Sequence, residues 1–293
     1  MQSENNLNLE INHYTDGYYN TESNFRYHYY LFIGEYEMIS VIADEQRNAI
    51  TSFKIFKRTS IDVQSFLEMN YDDLKLFTEI TDDFKLDYKS KKVIIADTSS
   101  IFSPDSLYNS VELETYFKIN KKVKVNAQVL YNKLNFQHIV NLFCVRNETL
   151  KFIRFNMPTA DILHQNLLFV KACSKLEQSK NDNQIFLNFN NDSIDLLNFK
   201  NSKLNFFNNF KFDNHTDIVY YILAVVEQLE ISNDWHLTIY GNIEGSNSLF
   251  QLLGKYCKNM KLGKRSSQYI YPVSMESIPE NFYFTALNVL LCE

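Results

Sequence analysis

Three residues stand where this chain could hold a ligand: Asp97, Asp192 and Gly241. Asp97 opens Asp97-Thr98-Ser99-Ser100 directly after the apolar run Val93–Ala96. A carboxylate with hydroxyls at the end of a buried strand sits where open α/β sheets place their sites. The same residues also make an ordinary capped turn. Asp192 lies in Asn188-Phe189-Asn190-Asn191-Asp192-Ser193, as an oxygen ligand for a cation or as a surface turn residue. Gly241 follows the compact apolar run Leu237–Tyr240 within Tyr240-Gly241-Asn242-Ile243-Glu244-Gly245. Glycine there allows close approach to the main chain, and it equally suits a plain strand exit.

Other constellations point to no reaction. Asp72-Asp73 and Asp82-Asp83 are adjacent pairs, and neighbours one apart do not share a helix face, so they read as solvated charge. The sequence contains no Gly-x-Ser-x-Gly elbow, Walker loop or His-Glu-x-x-His motif. Its cysteines, Cys144, Cys173, Cys257 and Cys292, form no C-x-x-C pair and have no metal-ligand spacing with histidine. Cys144, Cys173 and Cys257 sit among apolar residues and read as buried thiols of a reducing cytoplasm. No metal site is expected.

The formal net charge of −6 opposes nucleic-acid binding, which rests on basic surface. The short runs Lys89, Lys91, Lys92 and Lys121, Lys122, Lys124 each precede a β-like segment and read as solvated turns. No apolar run approaches the roughly 20 residues that span a bilayer, and the polar, acidic start does not read as a signal peptide. A cytoplasmic protein without membrane insertion is the expectation. The 24 Phe and 19 Tyr fit an AT-rich coding composition better than a stacking role.

These residues need elements to hold them. Residues 1–24 are polar and read as a flexible tail, with Tyr14, Tyr18 and Tyr19 leaving room for a docking peptide. Residues 25–178 form a first lobe. Tyr29–Ile33, Glu37–Ala43 and Ala49–Phe56 read as an antiparallel meander. A helix follows with Ser60 as its cap, Ile61, Phe66, Leu67, Leu74 and Phe77 near helical spacing and room for a break around Asn70, and Val93–Ala96 reads as a strand covered on both faces. Further strands are expected over Val123–Leu130 and His138–Val145. Helices are expected from an Asn109/Glu112 capping box to Phe117, over Asn147–Phe155 and over Asp161–Leu176. Glu177–Asn183 is the expected boundary. Residues 179–293 form a second lobe: strands Ile185–Phe189, Ser193–Phe199 and Lys203–Phe212, the helix Thr216–Leu229 capped by Asn214 or Thr216, the strand before Gly241, and the helix Ser248–Tyr256.

The two lobes echo each other. An offset of about 155 residues lays Ile39, Val41 and Ile42 on Ile194, Leu196 and Leu197. A three-strand meander, a helix and a parallel strand make a ribonuclease-H-like unit, and two such units give an α/β chain of actin-like type. The ending Pro279-Glu-Asn-Phe-Tyr-Phe-Thr-Ala-Leu-Asn-Val-Leu-Leu-Cys-Glu293 resembles the closing signature of a bacterial family known only as a domain of unknown function and associated with an actin-like ATPase fold. Leu237-Thr-Ile-Tyr-Gly-Asn-Ile243, His164 before a helix, and Phe102-Ser-Pro-Asp-Ser-Leu107 are similar to further features of that family.

The resemblance implies an interlobe ATP cleft, gripped by one phosphate hairpin per lobe and by a Gly-Gly turn against adenosine. Here the first hairpin reads Phe32-Ile33-Gly34-Glu35-Tyr36-Glu37. Its metal-shell Asp is replaced by apolar residues, and two glutamates flank a tyrosine. The second has no glycine and offers only Asp192, and the adenosine turn around Gly241 is a partial match. Losing one preorganised charge-stabilising group commonly costs about 10²–10³ in rate, so no ATP hydrolysis and no resident cofactor are expected. The expectation is a non-catalytic scaffold that binds a protein partner. The alternative is a divergent nucleotide-binding protein or ATP-dependent phosphotransferase that holds ATP and magnesium with Asp97, Asp192 and Gly241.

Overall fold

The computed structural model describes residues 9–59, 65–107, 109, 112–232, 234–245 and 248–292. The chain divides into two compact units, Met1–Leu167 with Ser267–Glu276, and Leu168–Ser266 with Ser277–Cys292. The division falls at Leu167/Leu168, ahead of the Glu177–Asn183 bridge expected from the sequence.

The first unit begins with β1 (Leu9–Thr15), a strand where a flexible tail is expected. Its pairing explains the difference: β1 runs antiparallel to β4 (Ala49–Arg58), from Leu9 opposite Arg58 to Thr15 opposite Ser52, so sheet hydrogen bonds supply what its sparse apolar side chains do not. The meander follows as β2 (His28–Gly34), β3 (Glu37–Asp44) and β4. Helix α1 (Tyr71–Ile80) starts at Asn70, whose side chain accepts the N–H of Asp73, and buries Leu74 and Phe77. The expected Ser60 cap and Ile61 lie outside the described residues. Strand β5 (Ser90–Ala96) lies parallel to β2, with Val93, Ile94 and Ile95 buried on both faces.

Between β5 and β9 (Asp161–His164), the chain inserts a small antiparallel sheet. It is built from β6 (Ser100–Pro104), helix α2 (Leu113–Asn120), β7 (Ala127–Leu134), β8 (Ile139–Arg146) and helix α3 (Asn147–Asn156). Helix α2 starts later than expected: Glu112, read as the third helical position behind an Asn109 cap, is itself the cap residue. The expected helix from Asp161 is split: Asp161–His164 pairs with β5, and helix α4 (Gln165–Ser174) follows. The large sheet has the order β1-β4-β3-β2-β5-β9. Residues 267–276 rejoin this unit through a bridge between Ile270 and Ala49.

The second unit repeats the plan. Strands β10 (Gln184–Phe189), β11 (Ser193–Lys200) and β12 (Lys203–Lys211) form the meander. Helix α5 (His215–Gln228) starts at a complete capping box between Asn214 and Asp217, two orphan N–H groups being satisfied reciprocally. Its Ile218, Ile222 and Val225 are buried against β10, β11 and β13 (His236–Gly241), each burial contributing roughly 1.5–3 kcal/mol before entropy. Helix α6 (Ser248–Leu253), β14 (Asn259–Leu262) and the C-terminal helix α7 (Phe284–Leu287) complete the unit. Its sheet order, β12-β11-β10-β13-β14, matches β4-β3-β2-β5-β9 strand for strand. In both, the first meander strand runs parallel to the strand after the helix. The two units are therefore two copies of one ribonuclease-H-like plan.

Candidate functional site

The sharpest polar cluster lies in the first unit, where the parallel strands β5 and β9 end side by side. Asp97 is the first residue after β5, and its carboxylate is 7 % exposed. It accepts from His164 Nε2 at 3.0 Å and from Lys124 Nζ at 2.8 Å. It also accepts the Ser99 N–H at 2.8 Å and a short hydrogen bond from the Ser99 hydroxyl. The Gln165 amide donates to its carbonyl at 3.3 Å. Burial alone would raise the Asp97 carboxyl. The His164 hydrogen bond and the Lys124 charge outweigh it and hold the group well below the usual carboxylate range. For Lys124, burial is the largest single influence and pulls down, but the Asp97 charge and hydrogen bond, with smaller pulls from Cys144 and Glu35, together outweigh it, so the ammonium is held above its ordinary value.

This geometry corrects one sequence expectation. Lys124 is no solvated turn residue; its ammonium is committed to Asp97, and Lys121 reaches the Thr98 carbonyl at 3.3 Å. The capped turn at Asp97 is present, with an ion pair added between the buried carboxylate and the half-buried Lys124. His164 is fully buried, and both ring nitrogens are engaged: Nδ1 accepts the Asn166 N–H at 3.1 Å, which leaves Nε2 to carry the proton toward Asp97. A ring so held does not function as a free general base.

A similar correction applies to Asp82-Asp83. Asp82 is exposed and pairs with Lys85, but Asp83 is buried and pairs with Lys54 at 2.8 Å. Lys92, from the other lysine run, is also buried.

The hairpin between β2 and β3 carries Gly34, Glu35 and Tyr36. A Cβ on Gly34 would lie 2.9 Å from the Glu37 carbonyl, so the tight hairpin itself requires glycine. Burial raises the Glu37 carboxyl above its ordinary value, against the opposing pull of Lys57. The Glu35 carbonyl accepts from the Phe66 N–H at 3.3 Å and Arg58 at 3.4 Å.

In the second unit, Asp192 sits in the β10–β11 hairpin and pairs with Lys211 at 3.3 Å near the surface. The buried carboxylate there is Asp195, three residues on. It accepts from the amides of Asn188 at 3.0 Å, Asn190 at 3.1 Å and Asn209 at 2.8 Å. No sequence motif marks Asp195. The clue is an acidic residue inside a strand with apolar residues on both sides, which needs partners if both faces are covered. Among the described residues, no group of three or more His, Cys, Asp or Glu is placed to hold a metal ion.

Gly241 ends β13 with φ +93°. A Cβ there would lie 2.1 Å from the Phe189 carbonyl oxygen, so close backbone packing on β10 already demands glycine. The turn is then closed by the C-terminal segment. The Gly241 N–H donates to the Asn281 carbonyl at 2.9 Å. The Asn281 amide donates back to the Gly241 carbonyl at 2.9 Å and to the Ile243 carbonyl at 2.8 Å. The Asn242 N–H goes to Phe189 at 3.1 Å. Beside it, the Tyr240 ring stacks on Phe284 with centroids 3.7 Å apart and fills the space a Gly263 side chain would need.

The repeated plan defines the class as an actin-like ATPase fold, and solved structures share it. A protein of unknown function with this fold from Bacteroides thetaiotaomicron superposes with a TM-score of 0.78 at 21% identity, covering 94% of this chain and 100% of its own. A chain of the PilM–PilN type IV pilus biogenesis complex gives 0.56 at 13% identity, covering 89% and 97%. The chain belongs to the family "Protein of unknown function (DUF3822)", whose model matches residues 19–260. No curated protein matches it. Among the described residues, no helix is long and apolar enough to cross a membrane.

Proposed function

We propose that this protein is a non-catalytic member of the actin-like class that works as a protein-interaction scaffold in the cytoplasm. The observation that carries the reading is Asn281. Its side chain and carbonyl take up the polar main-chain groups of the Gly241 turn, the element an actin-like nucleotide site would lay against adenosine. The hairpins point the same way. The first carries Glu35 and Glu37 where a phosphate turn has small residues, and in the second Asp192 pairs with Lys211 at the surface. The pilus biogenesis complex places a chain of this fold among protein partners, which supports a role in assembly.

Isothermal titration of the full chain with ATP and ADP, each with magnesium, tests the reading. The expected result is no heat of binding at micromolar concentrations. A micromolar Kd would overturn it in favour of the nucleotide-binding alternative, with Asp97, Asp192 and Gly241 as the residues to probe. Affinity capture at native expression levels tests the scaffold half, for which a stoichiometric protein partner is expected.

A further inference from the structure

The first unit buries amide groups that its protein partners leave short. Asn141, in the middle of β8, is fully buried, and neither its Nδ2 nor its Oδ1 meets a hydrogen-bond partner among the described residues. Asn166 is also fully buried. Its Nδ2 donates to Ser100 Oγ at 2.8 Å, and its Oδ1 has no partner. Ser100, having accepted that bond, still carries a hydroxyl proton to donate.

Strand register brings these groups into one compartment. Ser100 lies opposite Phe143 and Phe102 opposite Asn141, so Ser100 and Asn141 face the same side of the small sheet on neighbouring strands. Across Asn141 on β7 is Asn132, on the same face. The Asn132 amide is already committed to the edge of β9, donating to the Ile162 carbonyl at 3.0 Å and accepting the His164 N–H at 3.1 Å. His164 Nδ1 takes the Asn166 N–H, and Asn166 returns to Ser100. A polar chain from Ser100 through Asn166 and His164 to Asn132 therefore runs beside Asn141.

Burying an amide without partners is unfavourable, and an apolar side chain would match the neighbouring Val140, Leu142 and Phe143 without that penalty. Asn141 needs both a donor and an acceptor, Asn166 Oδ1 a donor and the Ser100 hydroxyl an acceptor. The donor set is amide and hydroxyl with no carboxylate facing Asn141 across the sheet, which suits a neutral molecule better than a cation. We propose that this compartment is an internal binding site for an ordered water molecule, held by Asn141 and Asn166 Oδ1 with Ser100 in reach. Buried waters of this kind make about three hydrogen bonds each. The water joins Asn141 to the network that ends at Asp97.

Oxygen-17 relaxation dispersion counts long-lived internal waters and is measured on the full chain and on Asn141→Leu. The expected result is that the variant loses the dispersion amplitude of about one water. An unchanged amplitude in a folded variant would overturn the proposal. Should Asn141→Leu fail to fold, a high-resolution crystal structure of the unaltered chain decides. Density for a water bonded to Asn141 and Asn166 supports the site. A dry site, or direct protein partners for both Asn141 side-chain atoms, overturns it.

Discussion

His164 donates to Asp97 across 3.0 Å with one ring nitrogen while the other takes the N–H of Asn166 at 3.1 Å. The imidazole is thus a fixed brace between the ends of β5 and β9, with no nitrogen left for substrate. Replacing it with alanine leaves a buried carboxylate short of one donor and a backbone N–H without an acceptor. His164→Ala is expected to cost about 2–4 kcal/mol in urea unfolding. A double-mutant cycle with Asp97→Asn is expected to give a coupling of roughly 0.5–3 kcal/mol. A coupling near zero would show that the two side chains do not brace each other.

The same cluster sets a pH dependence. The folded Asp97 carboxyl is held below its unfolded value of about 3.9. Its contribution to stability is therefore complete above that value and drains away as the pH falls from about 4 toward the folded value. Lys124 acts in the opposite direction. Its folded value is raised above the unfolded value of about 10.4, so its share is complete below that pH and is lost as the pH climbs through the folded value. Thermal unfolding of Asp97→Asn between about pH 2 and pH 7 is expected to show a shallower acid slope than the unaltered chain. An identical slope would rule out Asp97 as a source of the acid sensitivity.

Much of the fold could be read from the residues because local pattern and tertiary role agree. Ile218, Ile222 and Val225 share one helix face and are buried, and Asn214 caps that helix as its position suggests. The meander strands end near their turns. Where pattern and pairing part, the reading fails. Leu9–Thr15 is too polar to suggest burial and is held by β4. Asp161–His164 has no strand alternation and is held by β5. The site is harder still, because its members are far apart in sequence. Asp97 and His164 are both visible as single residues, but nothing in their spacing joins them to each other or to Lys124. Asn281 lies inside a recognisable ending, yet its target, Gly241, is 40 residues away.

Gly241 and Gly17 make a matched pair for testing backbone demand. At Gly241 the positive φ and the Phe189 main chain leave no room for a methyl group, whereas at Gly17 an added Cβ meets nothing within 4 Å. Gly241→Ala is expected to cost about 3 kcal/mol or more, and Gly17→Ala to stay within about 0.5 kcal/mol of the parent. Denaturant midpoints at constant slope check both. A tolerated alanine at Gly241 would mean that β10 and β13 yield at their ends, and it would reopen the turn to a ligand.

The Asn281 latch predicts an order among substitutions as well as a loss. The side chain acts as a donor toward two carbonyl oxygens, those of Gly241 and Ile243, in a buried setting. Asn281→Ala removes the donor, leaves the Ile243 carbonyl without it, and is expected to cost about 2 kcal/mol. The Asn281 main-chain carbonyl still receives the Gly241 N–H, so that part of the turn survives. Asn281→Asp is expected to cost more than alanine despite its similar shape, because a carboxylate would put acceptors against acceptors and bury a charge. Urea unfolding of the two variants ranks them. If aspartate proves no worse than alanine, the amide is not what closes the turn, and the support it lends to a nucleotide-free role falls with it.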